Sequence, residues 1–202
     1  YGAHSKNPNF IHENYPLKIQ GPHFVRTRVD VENQIQDFAI TYPNCSVAVL
    51  RFAPILGPNS TNIRARYFFA GIIPKVLGYD PLVQFIHEDD VADIITMFTF
   101  NNLEGKYEAF NICPPGEVVR GKDMANAVNK KSILLPPFII RFVFFIMWHL
   151  SRGKIPTSKG GWKFYCYPVA VDGSKLTQKY GYQYKHQSLD AFTKKEGRYA
   201  KY

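Results

Sequence analysis

Between residues 24 and 42 the apolar positions Phe24, Val31, Ile35, Phe38, Ala39 and Tyr42 recur at helical spacing. This predicts an amphipathic helix, which Pro43-Asn44 ends. Arg28 falls on the same face, four residues after Phe24. The pattern then changes: Ser46-Val-Ala-Val-Leu-Arg-Phe52 is almost continuously apolar, as strands covered on both faces are. Pro54, Gly57, Pro58 and Asn59 form a loop, and helical spacing returns over Asn62 to Ile73. Leu82-Val-Gln-Phe-Ile86 predicts a short strand ending at His87. A helix with Val91, Ile94, Ile95 and Phe98 on one face follows it, with Asp89 and Asp90 as its N-caps. A strand over Lys106 to Cys113 stops at Pro114-Pro115-Gly116, and Gly121 to Asn129 forms a short helix. Pro136-Pro137 opens an apolar helix from Phe138 to Leu150. Gly153 to Gly161 reads as a basic loop, and so do residues 1–21, rich in Asn, Pro and His, though without the charge. Asp172 or Ser174 caps a helix that Gly181 ends, and Ser188 caps a last one through Phe192.

Strands and helices alternating in this way predict an α/β fold with a mainly parallel sheet. Composition permits it: 46% of the 202 residues are hydrophobic, enough for a core and too many for a disordered or collagen-like chain. Cys45, Cys113 and Cys166 show no C-x-x-C spacing, which argues against a cysteine zinc site or a disulfide framework and for reduced thiols in the cytoplasm. No metal site is expected. Charge changes the picture more. The net charge is +9, yet residues from Arg120 onward hold 16 basic and 4 acidic residues, while the first 119 hold 9 and 12. Such asymmetry marks contact with nucleic acid or an anionic membrane, or a solvated lysine-rich face. No nucleic-acid motif accompanies it. No apolar stretch reaches the roughly 20 residues a spanning helix needs.

Four segments, in order, resemble the second half of an extended short-chain dehydrogenase/reductase of the NAD-dependent epimerase/dehydratase family. Tyr1-Gly2 resembles the end of that family's S-S-x-x-V-Y-G strand. Val49-Leu-Arg-Phe-Ala-Pro-Ile-Leu-Gly-Pro58 resembles its L-R-P-x-x-V-L-G-P strand and loop. Phe85-Ile-His-Glu-Asp-Asp-Val-Ala92 resembles its F-V-H-V-D-D-V-A segment. The run from Asp172-Gly-Ser-Lys-Leu through Tyr180-Gly-Tyr to Ser188-Leu-Asp-Ala-Phe192 resembles its closing segment. The resemblance implies the C-terminal half of a Rossmann-like, doubly wound parallel sheet over residues 1–113. A smaller substrate-binding or lid subdomain would occupy 114–202. No glycine-rich pyrophosphate loop occurs in the sequence, so the chain is expected to be part of a longer one.

The departures bear on chemistry. Where the family's helix carries Tyr-x-x-x-Lys, this sequence has Phe24-Val-Arg-Thr-Arg28, with Glu32 in register behind it. Phenylalanine cannot transfer a proton, whereas Arg28 stays cationic and can reach a ribose or phosphate. Phe24 and Arg28 thus occupy the catalytic positions without supplying the usual relay. By resemblance the cofactor is NAD or NADP, held on its nicotinamide side by Arg28, Phe52, Ala53 and Pro54. Tyr1 and His87 are the substrate-binding candidates and the displaced proton donors to consider. Val83 and Gln84 stand where sugar-nucleotide epimerases carry an Arg-Asp pair, which favours a small or apolar hydroxy/keto substrate.

Two functional readings stay open: an NAD(P)-dependent oxidoreductase or epimerase/dehydratase-like enzyme, and a non-catalytic dinucleotide- or partner-binding protein. Expected partners are a small-molecule substrate and a second copy in a homodimer. The stretch 133–150 reads as a lid helix, a membrane-interface helix or a partner-binding face, so the chain is placed in the cytoplasm, free or peripheral to a membrane.

Overall fold

The computed structural model describes residues 1–17, 23–60, 72–101, 106–154, 159–194 and 196. Helix α1 (His23–Thr41) turns Val25, Val29, Glu32 and Ala39 inward, a single stripe at helical spacing. A short turn reverses the chain into β1 (Val47–Phe52), which pairs in parallel with β5 (Tyr107–Ile112) from Val47 opposite Tyr107 to Phe52 opposite Ile112. The period of two then sorts the side chains. Ala48, Leu50 and Phe52 join Phe110 and Ile112 in the main core, with Ile94 of α2 (Glu88–Phe100) and Leu176 of α5 (Ser174–Tyr180). Arg51 and Tyr107 face the other way and bond Glu32 of α1. Helices therefore cover both faces of the parallel pair, which is the doubly wound arrangement.

Two further parallel pairs form separate two-stranded sheets. β2 (Ile55–Leu56) pairs with β4 (Ile86–His87), and β3 (Ile72–Val76) pairs with β6 (Lys131–Leu135). Helix α3 (Gly121–Ala127) and helix α6 (Ser188–Thr193) close a second core of Leu56, Phe85, Val119, Met124 and Ala191. Helix α4 (Pro137–Leu150) and a 3-10 helix (Lys159–Tyr165) form a third around Val76, Ile140 and Cys166. Among the described residues no helix is long and apolar enough to cross a membrane.

Several expectations need correction. The strand expected over 82–86 shrinks to Ile86–His87, with Val83 in an isolated bridge to Val119. The cause is that side chains bind the intervening backbone partners. The Gln84 amide donates to Val171 O at 3.1 Å and accepts the Val171 amide at 2.7 Å. The Ser188 hydroxyl accepts from Phe85 N and donates to Phe85 O. Ser188 is therefore no helix cap; Gln187 caps α6, in a capping box with Asp190. At α2 the cap is His87, whose Nδ1 accepts the Asp89 amide, and Asp89 and Asp90 lie in the first turn. At α5 the N-cap position is Gly173, not Asp172 or Ser174, although the Asp172 carboxylate just before it accepts the Ser174 amide at 2.9 Å. Gly181 ends the helix at φ +67°. Residues 133–135 belong to strand β6, so the apolar helix starts only at Pro137. The helix expected over 62–73 lies outside the described residues up to 71, and Ile72 and Ile73 are in β3.

Candidate active site

The site expected around α1 depends on how that helix is fixed to the sheet. Glu32 and Arg51 are both largely buried, and Arg51 Nε reaches both carboxylate oxygens of Glu32 at 3.1 Å while Nη2 also donates to it. The Tyr107 hydroxyl donates to the same carboxylate at 3.0 Å and accepts from Gln36. Arg51 continues to the N-terminal segment, donating to Glu13 O at 2.9 Å and to the Tyr1 hydroxyl. One guanidinium thus ties α1, β1 and the first residues together. Desolvation opposes its charge, but its bonds to Glu32 and Tyr1 outweigh this and raise its pKa.

Helix α1 runs antiparallel to β1, so its first turns lie toward the carboxyl ends of the strands, where ligands bind in this class of sheet. There Phe24 and Arg28 line a shallow, open groove with His23 and Thr27, all four residues of α1 itself, and none of Phe52, Ala53 and Pro54 lines it. The Arg28 guanidinium lies over the Phe24 ring, 5.6 Å from its centroid, and is exposed. Phe24 also meets Phe164 of the 3-10 helix at 5.7 Å. The Thr27 hydroxyl is 2.9 Å from His23 Nδ1 and donates to His23 O. His23 and Thr27 escaped the sequence reading, although they repeat the i, i+4 spacing of Phe24 and Arg28 one residue earlier. His23 adds an imidazole to this groove.

The other candidates sit apart from that groove in kind. Ala53 is buried, with its amide on Ile112 O, and Pro54 O accepts the Ile86 amide. Phe52 is half-buried against the main core. These three form the crossover from β1 to β2 at the carboxyl edge. The Tyr1 hydroxyl donates to His12 O at 3.0 Å; burial raises its pKa against the pull of Arg51. Its proton is therefore already engaged. His87 is fully buried and acts as a cap, and burial, helped by His186, lowers its pKa.

His87, Asp89 and His186 place ligand-type atoms within 4.8 Å of one another. The two imidazoles, however, lie nearly face to face, with centroids 4.0 Å apart and planes at 32°. His87 Nδ1 is committed to the Asp89 amide. Asp90 is a structural clasp: its carboxylate accepts from the Tyr182 hydroxyl at 2.8 Å and from the amides of Lys185 and His186 at 2.9 and 3.1 Å. Gln84 is buried with its carboxamide clasping the Val171 backbone, out of reach of a diphosphate at the surface.

With this geometry in view, comparison with solved structures is direct. The chain superposes on MoeE5 in complex with UDP-glucuronic acid and NAD with a TM-score of 0.64, at 15% identity over 92% of this chain and 58% of that one. It matches DesIV, the dTDP-glucose 4,6-dehydratase of Streptomyces venezuelae, with a TM-score of 0.64 at 12% identity over 93% and 53%. UDP-glucose 4-epimerase from Bifidobacterium longum gives 0.63 at 14% identity over 91% and 56%. The chain has their fold. In sequence it matches uncharacterized proteins of Mycobacterium tuberculosis and Mycobacterium bovis, each 22% identical over 195 residues. It spans about half the length of these curated relatives, 95% of this chain against 50% of theirs. No family model matches.

Proposed function

We infer that the chain forms the nicotinamide and substrate side of an NAD(P)-dependent protein of the extended short-chain dehydrogenase/reductase type. It would act as an oxidoreductase or an epimerase/dehydratase on a small or apolar hydroxy/keto substrate. The observation that supports this is the fold, a parallel β1–β5 pair covered by helices on both faces, with Phe24 and Arg28 together on the first turns of α1. In this reading residues 1–113 hold the dinucleotide and 114–202 the substrate. NAD or NADP would supply the hydride chemistry. Arg28 offers a cation to the ribose or phosphate, the backbone of Phe52–Pro54 borders the nicotinamide, and Tyr1 borders the substrate, while the buried His87 serves only as the cap of α2. Phe24 presents an apolar ring where a proton donor is needed, so turnover requires another acid, and His23 has the chemistry for it.

The same phenylalanine supports the second reading, a binding protein that keeps the fold without turnover. Three free cysteines agree with a cytoplasmic location. Self-association in a homodimer has the exposed apolar residues Val31 and Phe38 of α1, with Tyr42 just beyond its end, in its favour, and membrane contact of 133–150 has the exposed helix α4.

Saturation-transfer NMR with NADH and NADPH tests the assignment on the 202-residue chain. Without a glycine-rich turn for the pyrophosphate, affinity is expected near the millimolar range, since a charged hydrogen bond gives about 1.5–3 kcal/mol against an association cost of roughly 4–15 kcal/mol. Nicotinamide and adjacent ribose protons should saturate more than adenine protons, and Arg28→Ala should abolish the difference. Stronger adenine saturation, or an unchanged pattern in Arg28→Ala, would remove the groove from the cofactor site.

A further inference from the structure

Helix α4 is apolar on two sides. Ile140 is buried, and Phe144 and Trp148 follow it at i+4 and i+8 as a half-buried ridge. The opposite side carries Phe138, Phe142, Phe145 and Leu150, exposed by 70, 61, 50 and 80%. Ile133 and Leu134 of the adjoining strand β6 add 47 and 58%. A surface helix ordinarily turns a polar side outward, and this one does not. Charge says what covers it. From Met124 to Val171 the sequence has seven Lys or Arg residues and no Asp or Glu. Lys131 leads into the patch, and Arg152 and Lys154 follow it, all exposed. Arg141 lies on the flank of the helix, over the Trp162 ring at 5.1 Å. At 14 residues the helix is about 21 Å long, too short to cross a hydrocarbon core of about 30 Å.

We propose that α4 lies in the plane of an anionic phospholipid bilayer, inserting Phe138, Phe142, Phe145 and Leu150 while the surrounding lysines and arginines bind headgroups. Apolar burial and cationic attraction are the two components of interfacial helix binding, and both are present on one surface. The proposal is independent of the dinucleotide reading.

Co-sedimentation of the 202-residue chain with vesicles of phosphatidylcholine alone, or with roughly 30% phosphatidylserine, tests it. Partition should be at least about tenfold stronger on the anionic vesicles and should fall about tenfold at high salt. Phe142→Glu with Phe145→Glu should lower binding to anionic vesicles about tenfold or more with an unchanged far-UV circular dichroism spectrum. Arg152→Glu with Lys154→Glu should remove the preference for phosphatidylserine and leave the weak binding to neutral vesicles. Equal partition on both vesicles, or none on either, overturns the proposal. So does a dimer in light scattering that Phe142→Glu with Phe145→Glu dissolves, for then a second copy covers the helix.

Discussion

Replacing Arg51 by methionine would strand the Glu32 carboxylate. In the native chain that group, 8% exposed, receives Arg51 Nε on both oxygens, Arg51 Nη2 and the Tyr107 hydroxyl. After Arg51→Met only Tyr107 remains, and an uncompensated buried charge costs about 3–5 kcal/mol. For a domain of this size each 1 kcal/mol lowers Tm by roughly 2–4 °C, so a fall of about 6–20 °C is expected. Removing both charges, with Glu32→Leu and Arg51→Met, leaves no stranded ion. The loss is then confined to the hydrogen bonds with Tyr1, Glu13 and Tyr107, at about 0.5–1.5 kcal/mol each. The double variant should therefore be more stable than Arg51→Met alone. Urea unfolding followed by circular dichroism gives the cycle. A double variant whose loss equals the sum of the single losses, within about 0.5 kcal/mol, would show that the pair is not coupled and refute the argument.

Two other substitutions probe different parts. Because burial holds the His87 pKa below 6.5, the unfolded chain binds more protons between that depressed value and 6.5. The contribution is complete above the unfolded value and lost as pH falls through the window. His87→Asn keeps a side-chain oxygen to cap α2 and should lessen the fall of Tm as pH drops below about 6.5; an unaltered slope would assign that titration to other groups. At Gly173 an added Cβ would stand 2.0 Å from Cys113 O. Gly173→Ala should cost about 1–3 kcal/mol or more by overpacking, and a wild-type Tm would contradict this close approach.

The parts of the fold that period and punctuation announce were legible in the residues. Helix α1 and strands β1 and β5 fall within a residue of the expected ends, because helical period, Pro43 and two apolar runs leave few alternatives. The apolar row of Val31, Phe38 and Tyr42 nevertheless proved to be exposed, while Val25, Val29, Glu32 and Ala39 turn inward. Strand β6 was not legible. Lys131-Ser-Ile-Leu-Leu135 is exposed along most of its length and exists as a strand through its pairing with β3, a partner no local pattern reveals. β3 itself contains Pro74, which hides a strand from propensity and suits the margin of a small sheet. At the site, the i, i+4 spacing of Phe24 and Arg28 put both on one side of α1, but no local pattern related them to Phe52, Ala53 and Pro54. The role of His87 was hidden because capping by a histidine, and stacking on a residue 99 positions away, are tertiary facts. Glu32 was visible only as a register mark, while its partner Arg51 passed as part of an apolar strand.

Gln84, Ser188 and Asn111 use side chains where another protein would run a strand. They bind the backbone of Val171, Phe85 and Ile11, across separations of 87, 103 and 100 residues. A ladder of identical amides can slide two residues along and re-form most of its bonds with the same faces inward. A lone carboxamide that must both donate to and accept from Val171 has no second position to occupy. These clips therefore act against misregistration: the N-terminal and closing segments either dock in the native alignment or do not dock. Since each closes a long loop whose entropy must be overcome first, docking belongs to the end of folding, when a wrong alignment would be hardest to undo.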